Sequence, residues 1–152
     1  MKELKILALN GFLGYGYSLE SLRKGMSESP RYLCADAGST DPGPYYLGNG
    51  SQLVSRSQVI RDLSYALPAA LQNKIPLIIG SAGTAGANVH LDDFISTVKE
   101  TVSTKNLTLT AAVIRSEIST ERILKALREG RISPMQGAPE LTEQAVLDTK
   151  RC

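Results

Sequence analysis

An open, mostly parallel, doubly wound α/β sheet with helices on both faces is the fold class that the sequence predicts. Three observations predict it. Short apolar runs alternate four times with segments of helical period. Several of these runs close on glycine-rich turns, as buried strands feeding helices do. The 152 residues are 42% hydrophobic and 21% charged, enough for a single domain that buries about 70% of its unfolded surface.

The elements follow in chain order. Leu4 to Leu9 is apolar and breaks at Asn10-Gly11, which suits a buried strand. Gly11, Gly14 and Gly16 make a turn, and Ser18 is positioned to cap a helix running to about Ser27. Arg31 to Ala35 predicts a second strand. Asp36 to Pro44, with two glycines and two prolines, predicts irregular structure. From Ser55, residues Val59, Ile60, Leu63, Ala66, Leu67, Ala70 and Leu71 recur at helical steps, and Pro68 predicts a kink or an early stop. Ile75 to Ile79 is apolar on both faces, as a central parallel strand should be. Gly80 to Gly86 follows, then a helix from about Val89 to Thr101. Leu107 to Ile114 predicts a fourth strand, rich in β-branched residues. Ser119 opens a helix through Leu127 with Gly130 as its cap, and a last helix begins at Leu141. A doubly wound sheet that ends this way is expected to be incomplete at its C-terminus, and residues 1–152 read as one domain.

Composition narrows the function classes. Seventeen Lys and Arg against 15 Asp and Glu leave a net charge of +2, with no basic excess for a dedicated nucleic-acid binder. No apolar run approaches the ~20 residues that span a bilayer, and Lys2, Glu3 and Lys5 interrupt the N-terminal run, unlike a signal peptide. Two cysteines, Cys34 and Cys152, supply neither a disulfide framework nor zinc spacing. Cys34 reads as a buried small hydrophobe. A cytoplasmic protein without a nucleic-acid or membrane partner is the expectation.

Ligands of open parallel sheets gather beyond the C-terminal strand ends. Three such ends here have unusual composition. Asp36 leaves a strand, where a carboxylate can orient a substrate, act as a base or hold a cation. Gly38, Ser39 and Thr40 supply the N–H groups and hydroxyls of an anion nest, with Asp41 facing the same space. The competing reading is an Asx- or Ser/Thr-turn in which Asp36 and Asp41 cap backbone donors. Gly80, Ser81, Gly83 and Thr84 belong to a strand–helix turn that suits phosphate or carboxylate, or that needs small residues for tight packing. Its spacing matches neither a dinucleotide fingerprint nor a P-loop. Gly11 lies in the third turn, where Tyr15 and Tyr17 are candidate pocket walls. His90, the sole histidine, falls in the first turn of the next helix, where the dipole favours a neutral imidazole able to assist as donor or base. The alternative is a capping or packing histidine. Glu117 either reaches the same edge or caps the helix at Ser119. The basic residues Arg122, Lys125, Arg128 and Arg131 read as a solvated face. Asp36, Asp41, His90 and Asp92 have no recognisable metal spacing, so metal and cofactor stay open.

The stretch from Cys34 to Gly48, Cys-Ala-Asp-Ala-Gly-Ser-Thr-Asp-Pro-Gly-Pro-Tyr-Tyr-Leu-Gly, resembles the acyclic terpene utilisation (AtuA-like) family. Leu9 to Gly16 before it and Ile78 to Gly83 after it stand in the matching order. The resemblance implies the N-terminal part of a longer family protein, in a pathway that handles branched acyl-CoA thioesters. The expectation is an enzyme component acting on a small carboxylate or acyl-CoA, in a hydration, dehydration or lyase step. Asp36, Asp41 and His90 are the candidate catalytic residues. The alternative is a non-catalytic subunit that binds ligand or completes a partner's fold, whether a second copy or another chain. A sugar-kinase-like phosphate loop ranks last, because Pro42 and Pro44 follow the motif directly.

Overall fold

The computed structural model describes residues 3–39 and 42–151. Thr40, Asp41 and Cys152 lie outside them, and so do the expectations placed on Thr40 and Asp41. The chain is an α/β protein built on an open parallel sheet. Its elements are β1 (Ile6–Phe12), α1 (Leu19–Ser27), β2 (Tyr32–Gly38), α2 (Gly43–Asn49), α3 (Arg56–Gln72), β3 (Leu77–Thr84), α4 (Asn88–Thr104), α5 (Thr120–Arg128) and α6 (Glu143–Asp148). The sheet has three strands in the order β1-β2-β3, all parallel.

That order decides which face is covered. Both crossovers step in the same direction, and right-handed crossovers that do so put their helices on one face. A doubly wound sheet covers its second face by reversing direction at a switch point. No reversal occurs among the described strands, so α1 and α3, the helices of the two crossovers, share one face. The burial pattern agrees. On the covered face, Leu9, Leu33, Ala35 and Ala37 are buried with Val59, Leu63, Ala66, Leu67 and Ala70 of α3 and Phe94 of α4. On the other face Ile6 is 58% exposed and Ile78 51%, and the register sets Ala8, Cys34 and Ile78 in one row. Cys34 is therefore half-buried on an open sheet face, not enclosed in the core. β3 comes last in the order β1-β2-β3 and is an edge among the described strands, where the two-sided apolar run pointed to a central one.

Three further expectations change. The predicted strand Leu107 to Ile114 forms no strand and joins no ladder among the described residues, although Leu107 and Leu109 still pack on the core. β2 continues through Asp36, Ala37 and Gly38, because β3 pairs with it as far as Gly38↔Thr84 across a register shift. Gly43 then starts the short helix α2, with Pro44 in its first turn, where proline's missing N–H costs nothing. Pro68 does not stop α3, which runs on to Gln72. Burial of Leu67 and Ala70 on either side outweighs the one lost hydrogen bond. α3 also starts where expected, on a capping box between Ser55 and Gln58. No described helix is long and apolar enough to cross a membrane.

Candidate functional site

The three glycine-bearing strand ends do meet. Phe12 pairs with Asp36 and Asp36 with Gly80, so the ends of β1, β2 and β3 form one row at the C-terminal edge. Leu13 N–H donates to the Asp36 carbonyl at 2.8 Å, and Ser39 N–H donates to the Thr84 carbonyl at 3.3 Å. Gly38 is glycine because a Cβ there would collide with the Ser81 side chain. Gly11, Gly38, Ser39, Gly80, Ser81, Gly83 and Thr84 thus belong to one continuous rim.

Within the rim the side chains differ in what they offer. Asp36 is exposed, and its Oδ1 accepts from Gly38 N–H at 2.9 Å. This is the Asx-turn bond, and it occupies one of the two carboxylate oxygens. Gly80 is exposed beside it, and a Cβ there would meet no atom within 4 Å. Thr84 is buried, and its Oγ1 accepts from Leu53 N–H at 3.0 Å, so it ties the rim to the segment before α3. It does so at φ +89°, a conformation that a β-branched residue adopts only when its surroundings impose it. Gly83 lies against the backbone of His90, with no room for a Cβ. The glycine turn is therefore shaped largely by close strand–helix packing.

His90 stands apart from the expectation. Its ring is fully buried, and Nε2 lies 3.0 Å from the Tyr46 carbonyl and 3.1 Å from that of Ser51. Two acceptors on one nitrogen require the Nε2–H tautomer, so the imidazole donates to both and fastens α2 and its exit to α4. It is a packing histidine, because no solvent reaches it. Nδ1 is buried and has no hydrogen-bond partner among the described residues. The catalytic role anticipated for it does not fit this placement.

The N-terminus of α4, where an anion was expected, already holds one from the chain itself. Glu117 Oε2 accepts from Asn88 N–H at 2.7 Å, a carboxylate on the positive end of the helix. Glu117 thus caps α4, and Ser119 alone caps α5. Arg115 secures the same segment through Asp92 at 2.6 Å and Asn88 Oδ1 at 3.0 Å. The Arg115 guanidinium holds the Asp92 carboxyl below the usual carboxylate range. Asp93 is engaged by Arg56 and Gln52. Among the described residues no three His, Cys, Asp or Glu side chains stand close enough to share a metal ion.

Sequence reasoning missed one residue that shapes the rim. Asp62 of α3 is 2% exposed, and its Oδ2 accepts from Gly14 N–H at 2.7 Å and Gly16 N–H at 3.1 Å. Its Oδ1 accepts from Arg61 Nε at 2.8 Å, while Arg61 Nη2 donates to the Gly14 carbonyl at 2.9 Å. The Tyr17 hydroxyl donates to the Asp62 carbonyl at 2.5 Å. Burial, reinforced by the Asp62 charge, drives the Tyr17 hydroxyl well above the ordinary phenol range. Tyr17 is thus part of a clamp, and Tyr15 is exposed and stacked on Phe12. The available signal was a lone acidic residue on the apolar side of α3, between Val59 and Leu63.

Two surface concavities, of about 550 and 420 Å³, lie away from the rim, along α5 and beside the start of β1. No family model matches the chain, and neither a curated protein nor a solved structure does.

Proposed function

We propose that the chain is the ligand-binding part of an AtuA-like catabolic enzyme acting on a small carboxylate or acyl-CoA, with Asp36 as its acid–base or orienting group. The observation that carries this reading is the Phe12–Asp36–Gly80 row. It stands an exposed carboxylate beside a glycine with open space around it, at the strand edge where parallel sheets take ligands. Asp36 already spends one oxygen on Gly38, which fixes the carboxylate and leaves the other oxygen to accept or return a proton. Gly38, Ser39, Gly80 and Ser81 supply the small, polar lining that the acyl or carboxylate end would meet. In this reading His90 and Thr84 position the rim and do not touch substrate. A hydration, dehydration or lyase step fits a single carboxylate acting on a C–H or O–H proton.

Asp36→Asn tests it, since asparagine retains the Asx-turn and the fold. A ligand at 100 times its dissociation constant adds about 2.7 kcal/mol, a shift of several degrees for a domain this size. Acetyl-CoA and short branched acyl-CoAs are expected to raise the melting temperature. The variant is expected to melt normally and to lose turnover of whichever thioester binds. Undiminished turnover in Asp36→Asn would rule Asp36 out.

A further inference from the structure

Resting on the acyl-CoA reading of the rim, we propose that Ser81 takes hold of the acyl end, its hydroxyl donating a hydrogen bond to the carbonyl oxygen of the thioester. The strand that carries it is irregular just there. Asp36 pairs with Gly80 and Gly38 with Thr84, so β3 takes four residue steps (80 to 84) where β2 takes two (36 to 38). A bulge of this kind at a strand end re-aims the side chains it carries, and bulges gather beside binding sites.

Backbone strain is concentrated at the same place. Among the described residues, those other than glycine with positive φ are Ser29, Lys74, Ser81, Thr84 and Asn106. Ser29, Lys74 and Asn106 each follow the end of a helix, where a left-handed residue is an ordinary stop. Ser81, at φ +49°, and Thr84, at φ +89°, lie instead within β3. Side chains hold such conformations only where their surroundings impose them, and they cluster at ligand contacts. Thr84 has an internal reason for its conformation, since its Oγ1 accepts from Leu53 N–H. Ser81 has no such tie. It is exposed, and its hydroxyl forms no hydrogen bond among the described residues, unlike the neighbouring Asp36 and Thr84 side chains.

The strained serine shares a seat with Asp36. Asp36 and Gly38 alternate with the buried Ala35 and Ala37, which places both on the open face of the sheet. A Cβ on Gly38 would fall 2.9 Å from Ser81 Oγ, so the bare Cα of Gly38 makes room for the Ser81 side chain. Gly38 N–H also holds Asp36 Oδ1 at 2.9 Å. One glycine thus seats a hydroxyl donor and a carboxylate. The two divide the work on an acyl thioester. When the carbon next to the carbonyl loses a proton, the proton passes to the Asp36 carboxylate and the electron pair moves onto the carbonyl oxygen. The Ser81 hydroxyl keeps its own proton and stabilises the charge that develops on that oxygen.

The test is calorimetric titration of the full chain, Ser81→Gly and Ser81→Ala with acetyl-CoA and with CoA, which lacks the acyl carbonyl. Glycine adopts the left-handed conformation freely, so Ser81→Gly is expected to melt no lower than the parent. Alanine keeps the Cβ and removes only the hydroxyl. The parent is expected to bind acetyl-CoA more tightly than CoA. Both variants are expected to bind acetyl-CoA about tenfold more weakly than the parent does, and CoA equally well. Acetyl-CoA affinity unchanged in both variants overturns the role of Ser81, and leaves the reading of the rim standing if Asp36→Asn has lost turnover. A loss confined to one variant would make backbone conformation the cause and equally overturn it. A parent that binds acetyl-CoA no better than CoA, or binds neither, removes the acyl-CoA reading of the rim and the role of Ser81 with it.

Discussion

Asp62 does more for the N-terminal glycine turn than any glycine in it. Gly14 and Gly16 adopt φ of +112° and +90°, and their N–H groups converge on one buried carboxylate oxygen. Asp62→Ala removes that acceptor and strands two donors, at a cost of about 3 kcal/mol. Asp62→Asn, which keeps one acceptor oxygen but turns a donor toward Arg61, is expected to fall between. Urea denaturation of the two variants measures both, and a loss below about 1 kcal/mol for the alanine would show the clamp to be dispensable. Tyr17 adds a pH signature. Because folding raises its ionisation point, its contribution is complete below the ordinary phenol range and is lost as pH rises through the higher folded value. Stability measured against pH is therefore expected to fall in alkaline solution, more steeply in the parent than in Tyr17→Phe.

At the scale of elements, the Arg115–Glu117 segment is a strap across the start of α4. It is held by a charged bond at the helix terminus and by the Arg115–Asp92 pair. Folding lowers the Asp92 ionisation point, so this contribution is present above the ordinary carboxylate range and is lost as pH falls through the lowered value. Acidification is expected to release the strap before the sheet unfolds. Amide exchange at Asn88 and at residues 115–118 reads this, and Glu117→Ala is expected to show the faster exchange already at neutral pH. Equal protection in parent and variant would mean the strap rests on other contacts. If Glu117 excludes external anions from this helix end, the same variant should also bind phosphate or CoA more tightly, a comparison that separates the strap from the Asp36 rim.

For the whole molecule, local signals proved legible and pairwise ones did not. Ser18, Ser55, Ser119 and Thr142 cap their helices through hydrogen bonds to residues three positions ahead, information contained within one turn of chain. The convergence of the Asp36, Gly80 and Gly11 turns was also legible, because a parallel sheet must bring its strand ends to one edge. The covered side of the sheet was not. It depends on strand order, and an apolar run such as Ile75 to Ile79 looks alike in a central strand and an exposed edge. The fourth strand failed for the same reason: Leu107 to Ile114 has strand composition, but a ladder needs a partner that composition does not name. His90 was misread because its burial and its capture by the Tyr46 and Ser51 carbonyls are tertiary events. Asp62 was overlooked because its partners lie 46 and 48 residues away.

That separation also orders events in time. A turn near the N-terminus whose shape is set by a residue in the middle of α3 cannot be completed as the first strand leaves the ribosome. It waits until α3 has been synthesised and has docked, so loop closure over nearly fifty residues precedes it. The rim that carries Asp36 thus acquires its third wall late, and nascent chains shorter than the end of α3 are left with an unformed edge.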